Sequence, residues 1–395
     1  MRLTPDEVAQ YVEETDVKFI RLAFCDVFGT QKNIAIMPGE LSRAFSEGIA
    51  IDASSIAGFG GQVRSDLLLR PDPSTLAALP WRPQSGRVVR MFCDITRPDG
   101  MPFEADARRM LKKAVAAADA AGVRFSVGPE MEFYLFRLAD DGTPTKVPQD
   151  TAGYMDIAPA DRGENVRREI CLTLEQMGIV PESSHHEGGP GQNEIDFRHT
   201  DPLTAADNAV AFKAVVRTIA ARNGLFADFS PKPLADAPGS GMHINISAEN
   251  GTGTDLLPAV IAGILEKVCE MTLLLNPCEN SYERLGRDRA PITVGWSPEN
   301  RSQLIRIPAA TGDNRRIELR SPDPAANPYL ALALVIRAGL RGIERGLTPP
   351  PALNADAPGI AQLPSSLAEA QRLASGSAFL RSCLSETILE SYLGI

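Results

Sequence analysis

Two carboxylates separated by a single residue, Glu130 and Glu132 in Gly128-Pro129-Glu130-Met131-Glu132-Phe133, are the first sign of chemistry in this chain. In an extended strand both project from one face, ~6.6 Å apart along the backbone, while Met131 and Phe133 project from the other. Like charges held that way repel unless something positive sits between them. Three later stretches share the pattern. Gln192 to Phe197 puts Glu194 and Asp196 on one face, with Glu187 upstream beyond a Gly-rich turn. Gly241 to Ser247 puts His243, Asn245 and Ser247 opposite Met242, Ile244 and Ile246. Arg315 to Arg320 sets Arg316, Glu318 and Arg320 against an apolar face. Any one of these strands alone reads as a solvated polar face. Four together, each backed by apolar residues, describe a sheet that packs helices on one side and cups a metal-rich cavity on the other. Several glutamates plus one histidine are mostly hard ligands, suited to Mg²⁺ or Mn²⁺ rather than zinc or copper.

Arginines supply the other half. Arg284, Arg301, Arg306, Arg316 and Arg320 bracket the late strands, and a guanidinium fork suits carboxylate and phosphate. Arg289 and Arg315 are assigned the ordinary structural role of a solvated arginine. Metals together with arginines point to phosphoryl transfer from a nucleotide to a carboxylate, where positioning and charge neutralisation supply the catalysis. The chain has no Walker-type loop, so a P-loop kinase is excluded.

The elements that must position these residues follow from periodicity. Leu3 to Thr15 reads as a helix entered at Thr4-Pro5. Val17 to Val27 and Asn33 to Met37 read as strands around Phe28-Gly29-Thr30, Glu40 to Gly48 as a helix, and Val88 to Ile95 as a strand. Ile51 to Gly61 is a small-residue loop whose composition alone suggests a surface connection, and Asp66 to Leu79, rich in proline and leucine, reads as irregular. Arg97-Pro98-Asp99-Gly100 marks a boundary, giving domains of residues 1–101 and 102–395. In the second, helices are expected at Glu104 to Ala121, Asn165 to Met177, Leu203 to Asn223, Leu257 to Leu275 and Pro328 to Arg345. A strand spans Val123 to Phe136, and Ala139 to Asp161 is a long connection. Short strands between long helices, without a βαβ rhythm, make the fold class α+β with a largely antiparallel sheet.

Composition sets the bounds. The chain has 395 residues, 44% of them hydrophobic and 23% charged, ordinary for a globular protein. No signal peptide is expected from the polar, acidic stretch Met1 to Val12, and no membrane span from apolar runs interrupted by Glu266, Lys267, Glu270 and Arg337, so a cytoplasmic protein is expected. The six cysteines show no Cys-x-x-Cys spacing and read as reduced core residues. A net charge of −10 argues against a nucleic-acid or membrane surface, though not against an anionic substrate held by local arginines.

Taken jointly, Gly-Pro-Glu-Met-Glu-Phe-Tyr (128–134), His-His-Glu (185–187) before Gly-Gln-Asn-Glu (191–194), Gly-Ser-Gly-Met-His (239–243), Asn-Arg-Ser (300–302) with Arg-Ile-Pro (306–308), and Arg-Ile-Glu-Leu-Arg-Ser-Pro-Asp-Pro-Ala-Ala-Asn-Pro-Tyr-Leu (316–330) resemble the glutamine synthetase family, type I. The resemblance runs from about Val17 to about Glu369, with every block in the family's order. It implies a small β-grasp N-terminal domain and a catalytic domain whose curved sheet forms a funnel for metals and nucleotide. By the resemblance, Glu132, Glu187 and Glu194 hold one metal, and Glu130, His243 and Glu318 hold another that bridges the phosphates. Arg284 and Arg320, with Gly239 nearby, match the glutamate-binding positions. Arg301, Arg306 and Arg316 match phosphate and transition-state contacts, while Asn245 and Ser247 fall where nucleotide contacts are expected. Asp52 resembles the aspartate that a neighbouring subunit donates to the ammonium site, which replaces the bland reading of its loop.

The implied reaction is ATP-dependent joining of glutamate to ammonia through γ-glutamyl phosphate, with Mg²⁺ or Mn²⁺, two or more per subunit, in a homo-oligomeric ring with shared sites. Departures from the family pattern are Arg289, where ammonia-using members carry a flap glutamate, and Pro238, where many carry asparagine. The chain also stops at Ile395, short of the family's usual C-terminal segment, which leaves one ring or two open. The alternatives are a γ-glutamyl ligase using a small amine or polyamine, a catalytically silent regulator, and a metal-dependent hydrolase.

Overall fold

The computed structural model describes residues 3–60, 65–82, 85–310, 312, 315–353 and 359–394. Helix α1 (Pro5–Glu14) has a locally specified start. The Thr4 hydroxyl accepts from the Glu7 amide, the Glu7 carboxylate accepts from the Thr4 amide, and Pro5 needs no amide partner. Strands β1 (Val17–Cys25), β2 (Gln31–Ile36), β3 (Ile49–Asp52), β4 (Asp66–Pro71), β5 (Ala77–Ala78) and β6 (Arg87–Thr96), with helix α2 (Leu41–Ser46), build the first sheet. Its order is β2-β1-β6-β4-β3, with β5 also on β6. β1 and β6 run parallel and the other pairs antiparallel.

Two expectations change here. Asp66 to Pro71, read as irregular, is a strand inserted between β3 and β6. It buries Leu67, Leu69 and Pro71, and the alternation was masked because Leu68, the intervening residue, is also apolar. The small-residue loop begins inside a strand, since Ile51 and Asp52 close β3; its last residue, Gly61, lies outside the described residues.

Helix α3 (Ala107–Ala120) leads into the second sheet. Its hub is β7 (Arg124–Leu138), joined by β8 (Pro144–Pro148), β9 (Pro181–His186), β10 (Gln192–Phe197), β11 (Leu225–Asp228), β12 (Met242–Glu249), β13 (Trp296–Ser297), β14 (Ile305–Arg306) and β15 (Ile317–Leu319). The order is β13-β14-β15-β12-β7-β10-β9, with β8 and β11 also on β7; every pair but β13–β14 is antiparallel. β8 lies in the stretch read as a plain connection. Helices α4 (Glu164–Gln176), α5 (Pro202–Arg222), α6 (Leu257–Leu275), α7 (Ser281–Arg284) and α8 (Pro328–Glu344) match the long apolar periodicities or join them, and α9 (Leu367–Ser375), α10 (Ala378–Cys383) and α11 (Glu386–Leu393) follow. The fold class is α+β, as read.

The core sits between the apolar face of the second sheet and its helices. Met131, Phe133, Ile195, Met242, Ile244, Ile317 and Leu319 are fully buried, and each such side chain contributes roughly 1.5–3 kcal/mol on burial. α3 and α5 pack on β7, and α6 packs on β12 and α8. The α6–α8 crossing is tight: a Cβ at Gly263 would stand 2.1 Å from the Ala338 carbonyl oxygen. The two sheets are tied by Arg108 of α3, whose guanidinium donates to Asp72 and Asp94 of the first sheet's segment and to Asp207 of α5. All six cysteines are free; Cys25 and Cys93 are buried and the other four half-buried. Among the described residues no helix is long and apolar enough to cross a membrane.

Candidate active site

The neighbours of β7 are in register with its carboxylates. On one side β10 sets Asp196 opposite Glu130 and Glu194 opposite Glu132. On the other, β12 sets His243 opposite Glu130 and Asn245 opposite Gly128. One strand further out, β9 brings His185 beside Glu194, β15 brings Glu318 beside Asn245, and β14 brings Arg306 beside Glu318. The period of two then puts all these side chains on the face opposite the core.

Directly opposed like charges destabilise a strand pair, and two such pairs stand side by side here. Possible ligand atoms of Glu130, His243 and Glu318 lie within 4.8 Å of one another, as do those of His185, Glu187 and Glu194, and those of Glu130, Glu194 and Asp196. Burial pushes the Glu132 carboxyl up to about 7, with the Glu187 charge adding to it. Glu194 is pushed well above the usual carboxylate range by burial and then by Glu132. His243 moves the other way, down to about 3, through burial and then the nearby Arg320 charge. Its imidazole is therefore neutral and has a lone pair to offer. Its Nδ1 stands 3.7 Å from Glu130 and 3.5 Å from Glu318, too far for a good hydrogen bond. Buried carboxylates in mutual repulsion around a neutral imidazole fit hard divalent cations.

A 770 Å³ cavity opens over this face, lined by Glu130, Glu132, Glu187, Glu194, His243 and Glu318 together with Gly239, Arg301, Arg306, Arg316 and Arg320. A smaller cavity of 60 Å³ shares Glu130, Asp196 and Arg316 with it and adds Asn245, Ser247, Ser126 and His199. Two residues expected at the site line neither. Arg284 is buried behind the wall, donating to the Ser321 carbonyl at 2.7 Å and the Arg320 carbonyl at 3.1 Å. Asp52 is exposed at the edge of the first sheet, its carboxylate accepting from the Ser54 amide at 2.9 Å.

The remaining polar groups hold one another. Glu318 accepts from Arg306 at 2.9 Å and from Arg320, and Arg320 Nε donates to the Arg301 carbonyl at 2.8 Å. Asn245 donates to Glu130 at 2.6 Å and accepts from Arg316 at 2.9 Å, so its amide bridges two site residues. Glu132 accepts from the Gly241 amide at 2.8 Å and from Gln192 at 3.2 Å. Gln192, fully buried, also donates to the Gly239 carbonyl and accepts from the Gly189 amide. It couples Glu132 to the loop that carries Gly239.

Sequence reasoning missed Gln192, His185 and the convergence of Asp196. Asp196 had a signal, the same alternation that carried Glu194. His185 could have been found from its position two residues before Glu187. Gln192 had no signal, because a buried amide looks like any polar residue at a strand end. Arg289 and Asp288, at the rim of the large cavity, have positive φ of 68° and 47°, and Lys232 pairs with Asp288 at 3.4 Å.

Comparison with known proteins identifies the family. Residues 104–395 match the family described as "Glutamine synthetase, catalytic domain", and residues 16–98 match "Glutamine synthetase, beta-Grasp domain". A protein named glutamine synthetase from Clostridium saccharobutylicum is 44% identical over 99% of this chain and 94% of its own length. One of the same name from Methanosarcina mazei is 45% identical over 99% of this chain and 92% of its own. Among solved structures, a "GmaS/ADP complex" superposes with a TM-score of 0.88 at 29% identity, covering 98% of this chain and 94% of that one. With both domains matched in order and the relatives spanned almost end to end, the chain belongs to the glutamine synthetase family.

Proposed function

We propose that this protein is a cytoplasmic, ATP-dependent glutamate–ammonia ligase working through γ-glutamyl phosphate, built from a β-grasp domain of residues 1–101 and a catalytic domain of residues 102–395. The reading rests above all on one observation: the fold gathers all six expected ligand side chains and four of the five expected arginines, Arg301, Arg306, Arg316 and Arg320, around a single cavity. Mg²⁺ or Mn²⁺, two or more per subunit, would be held by Glu130, His243 and Glu318 on one side and by Glu187 and Glu194, with Glu132, on the other. When bound, such ions neutralise carboxylates and phosphate oxygens.

The chain's own residues do the rest. Arg301, Arg306 and Arg316 orient the phosphoryl oxygens, with Ser247 toward the nucleotide. Arg320 and Gly239 face glutamate, and Arg284 supports them from behind through the carbonyls it holds. A γ-carboxylate oxygen attacks the γ-phosphorus of ATP and ADP leaves. Ammonia then attacks the acyl carbon, phosphate leaves, and a proton passes to Asp52. Asp52 would come from a neighbouring subunit of a ring.

The test is product analysis with Mg-ATP, glutamate and a panel of nitrogen donors. Glutamine and stoichiometric phosphate with ammonium are expected. A γ-glutamyl alkylamide without glutamine would make the protein an amine ligase, and phosphate release at background with every donor would make it a silent relative.

A further inference from the structure

A separate cavity of 320 Å³ opens between the first sheet and α5, and it shares no lining residue with the active-site cavity. Arg21 of β1, Arg82 beside Trp81, Arg90 of β6, and Lys213 and Arg217 of α5 face it. Among the described residues that line it there is no aspartate or glutamate. In a chain of net charge −10, five cations around one small volume need a reason. Arg90 and Lys213 are buried at its base, Arg21 is half-buried, and Arg82 and Arg217 are exposed at its mouth.

Their charges are left uncompensated. Among the described residues the guanidinium groups of Arg21, Arg82, Arg90 and Arg217 make no hydrogen bond or ion pair, and the Arg21 Nε is buried without a partner. Arg90 lies over the Phe92 ring at 4.0 Å and Arg217 over Phe229 at 5.2 Å. Lys213 has only the neutral Pro324 carbonyl. The acids whose fields reach the cluster are engaged elsewhere, Asp207 with Arg108 and Tyr329, Asp228 with Lys146, and Asp323, which acts on Lys213, with Asn276. Burial accordingly draws Lys213 down to about 8 and Arg90 down to about 10.

Unpaired buried cations are costly, and guanidinium forks are shaped for phosphate oxygens. We propose that this cavity binds a compact polyphosphate, either inorganic pyrophosphate or the diphosphate of a nucleotide, at a site separate from the one used in the ligase reaction. A diphosphate offers several acceptor oxygens and multiple negative charges to five cations, which a single carboxylate does not. Trp81 beside Arg82 offers a ring face to a nucleobase. The ligand would bridge β1 and β6 of the first sheet to α5 of the second, so binding ties the two domains together.

Titration calorimetry of the full chain with pyrophosphate, in EDTA so that the carboxylate face has no metal to hold phosphate, tests the site. One saturable event per chain is expected, with a rise in Tm at saturation. Affinity should fall about tenfold or more in Arg82→Gln and in Arg217→Gln, while Arg124→Gln leaves it unchanged. Both residues are exposed at the mouth, so ligand-free Tm should match the wild type and separate lost binding from misfolding. In a Trp296→Phe background Trp81 is the sole tryptophan. Quenching by ADP but not by pyrophosphate assigns the site to a nucleotide, and equal affinity without quenching assigns it to pyrophosphate. No saturable heat, binding indifferent to both arginine changes, or citrate bound as tightly as pyrophosphate would overturn the proposal.

Discussion

At the scale of single residues, the site depends on crowded carboxylates of which only some have a cationic partner: Glu318 has Arg306 and Arg320 and Glu187 has His185, while Glu132 and Glu194 are pushed up by burial and by neighbouring carboxylates. Glu132 differs from its companions in that its oxygens fall outside the tight ligand groups found among the described residues, while the Gly241 amide and Gln192 hold them. Glu187→Gln is therefore expected to weaken Mn²⁺ binding more than Glu132→Gln, measured by calorimetry on the two purified variants. Equal losses would place Glu132 among the direct ligands. Gln192→Met should lower metal affinity by less than Glu187→Gln does, because the carboxylate it supports is that of Glu132. Because Gln192 also holds the Gly239 carbonyl, the KM for glutamate should rise in the same variant while that for ATP stays put. A variant that moved neither quantity would reduce Gln192 to packing.

At the scale of elements, helix ends and strand pairings decide how the site is carried. Asp106 caps α3 by accepting from the Arg109 amide, and its other oxygen accepts from the Ile95 amide of β6. Burial, with the Asp94 charge adding, raises its carboxyl from 3.8 to about 6. The folded state thus disfavours the ionised form. Below the unfolded value this costs nothing; the cost grows as pH rises from 3.8 to about 6 and is full above that. Asp106→Asn keeps a capping oxygen and cannot ionise. Relative to this variant the wild type should lose up to about 3 kcal/mol between pH 4 and pH 7, read from denaturant midpoints across that range. Element existence was legible wherever periodicity was clean, as in α3, α5, α6, α8 and β7. It was not legible in β4, where Leu67-Leu68-Leu69 hides alternation, nor in β8, a short edge strand among polar and proline residues.

At the scale of the whole molecule, two features join parts distant in sequence. Arg108 links Asp72 and Asp94 to Asp207. Arg108→Met leaves buried Asp207 with only the Tyr329 hydroxyl and should cost about 3–5 kcal/mol, measured by urea unfolding. A neutral result would mean that water replaces the guanidinium. Asp52 poses the second question, since within one chain it lines neither cavity of the site. If neighbouring subunits share sites, mixing denatured and refolded Asp52→Asn and Glu318→Gln chains should restore activity well above that of either variant alone. No recovery would confine each site to one chain and remove Asp52 from the mechanism.

The sequence by itself determined which side chains share a face, because strand and helix periods are local properties of the backbone. It also carried the family's motif blocks, and from them the six ligand-type residues. What it left open was partnership across the sheet: Glu130 meets His243 and Asp196 only through hydrogen-bond registers set between segments far apart in the chain. Alternation fixes a face but not the strand beside it. The tertiary structure also decided that Arg284 stands behind the wall, that Gln192 links a ligand to the substrate loop, and that residues between Arg21 and Arg217 gather into one cationic cavity. None of these shows in a local pattern: the first two arise from contacts between distant segments within the catalytic domain, and the third from packing the first sheet against α5.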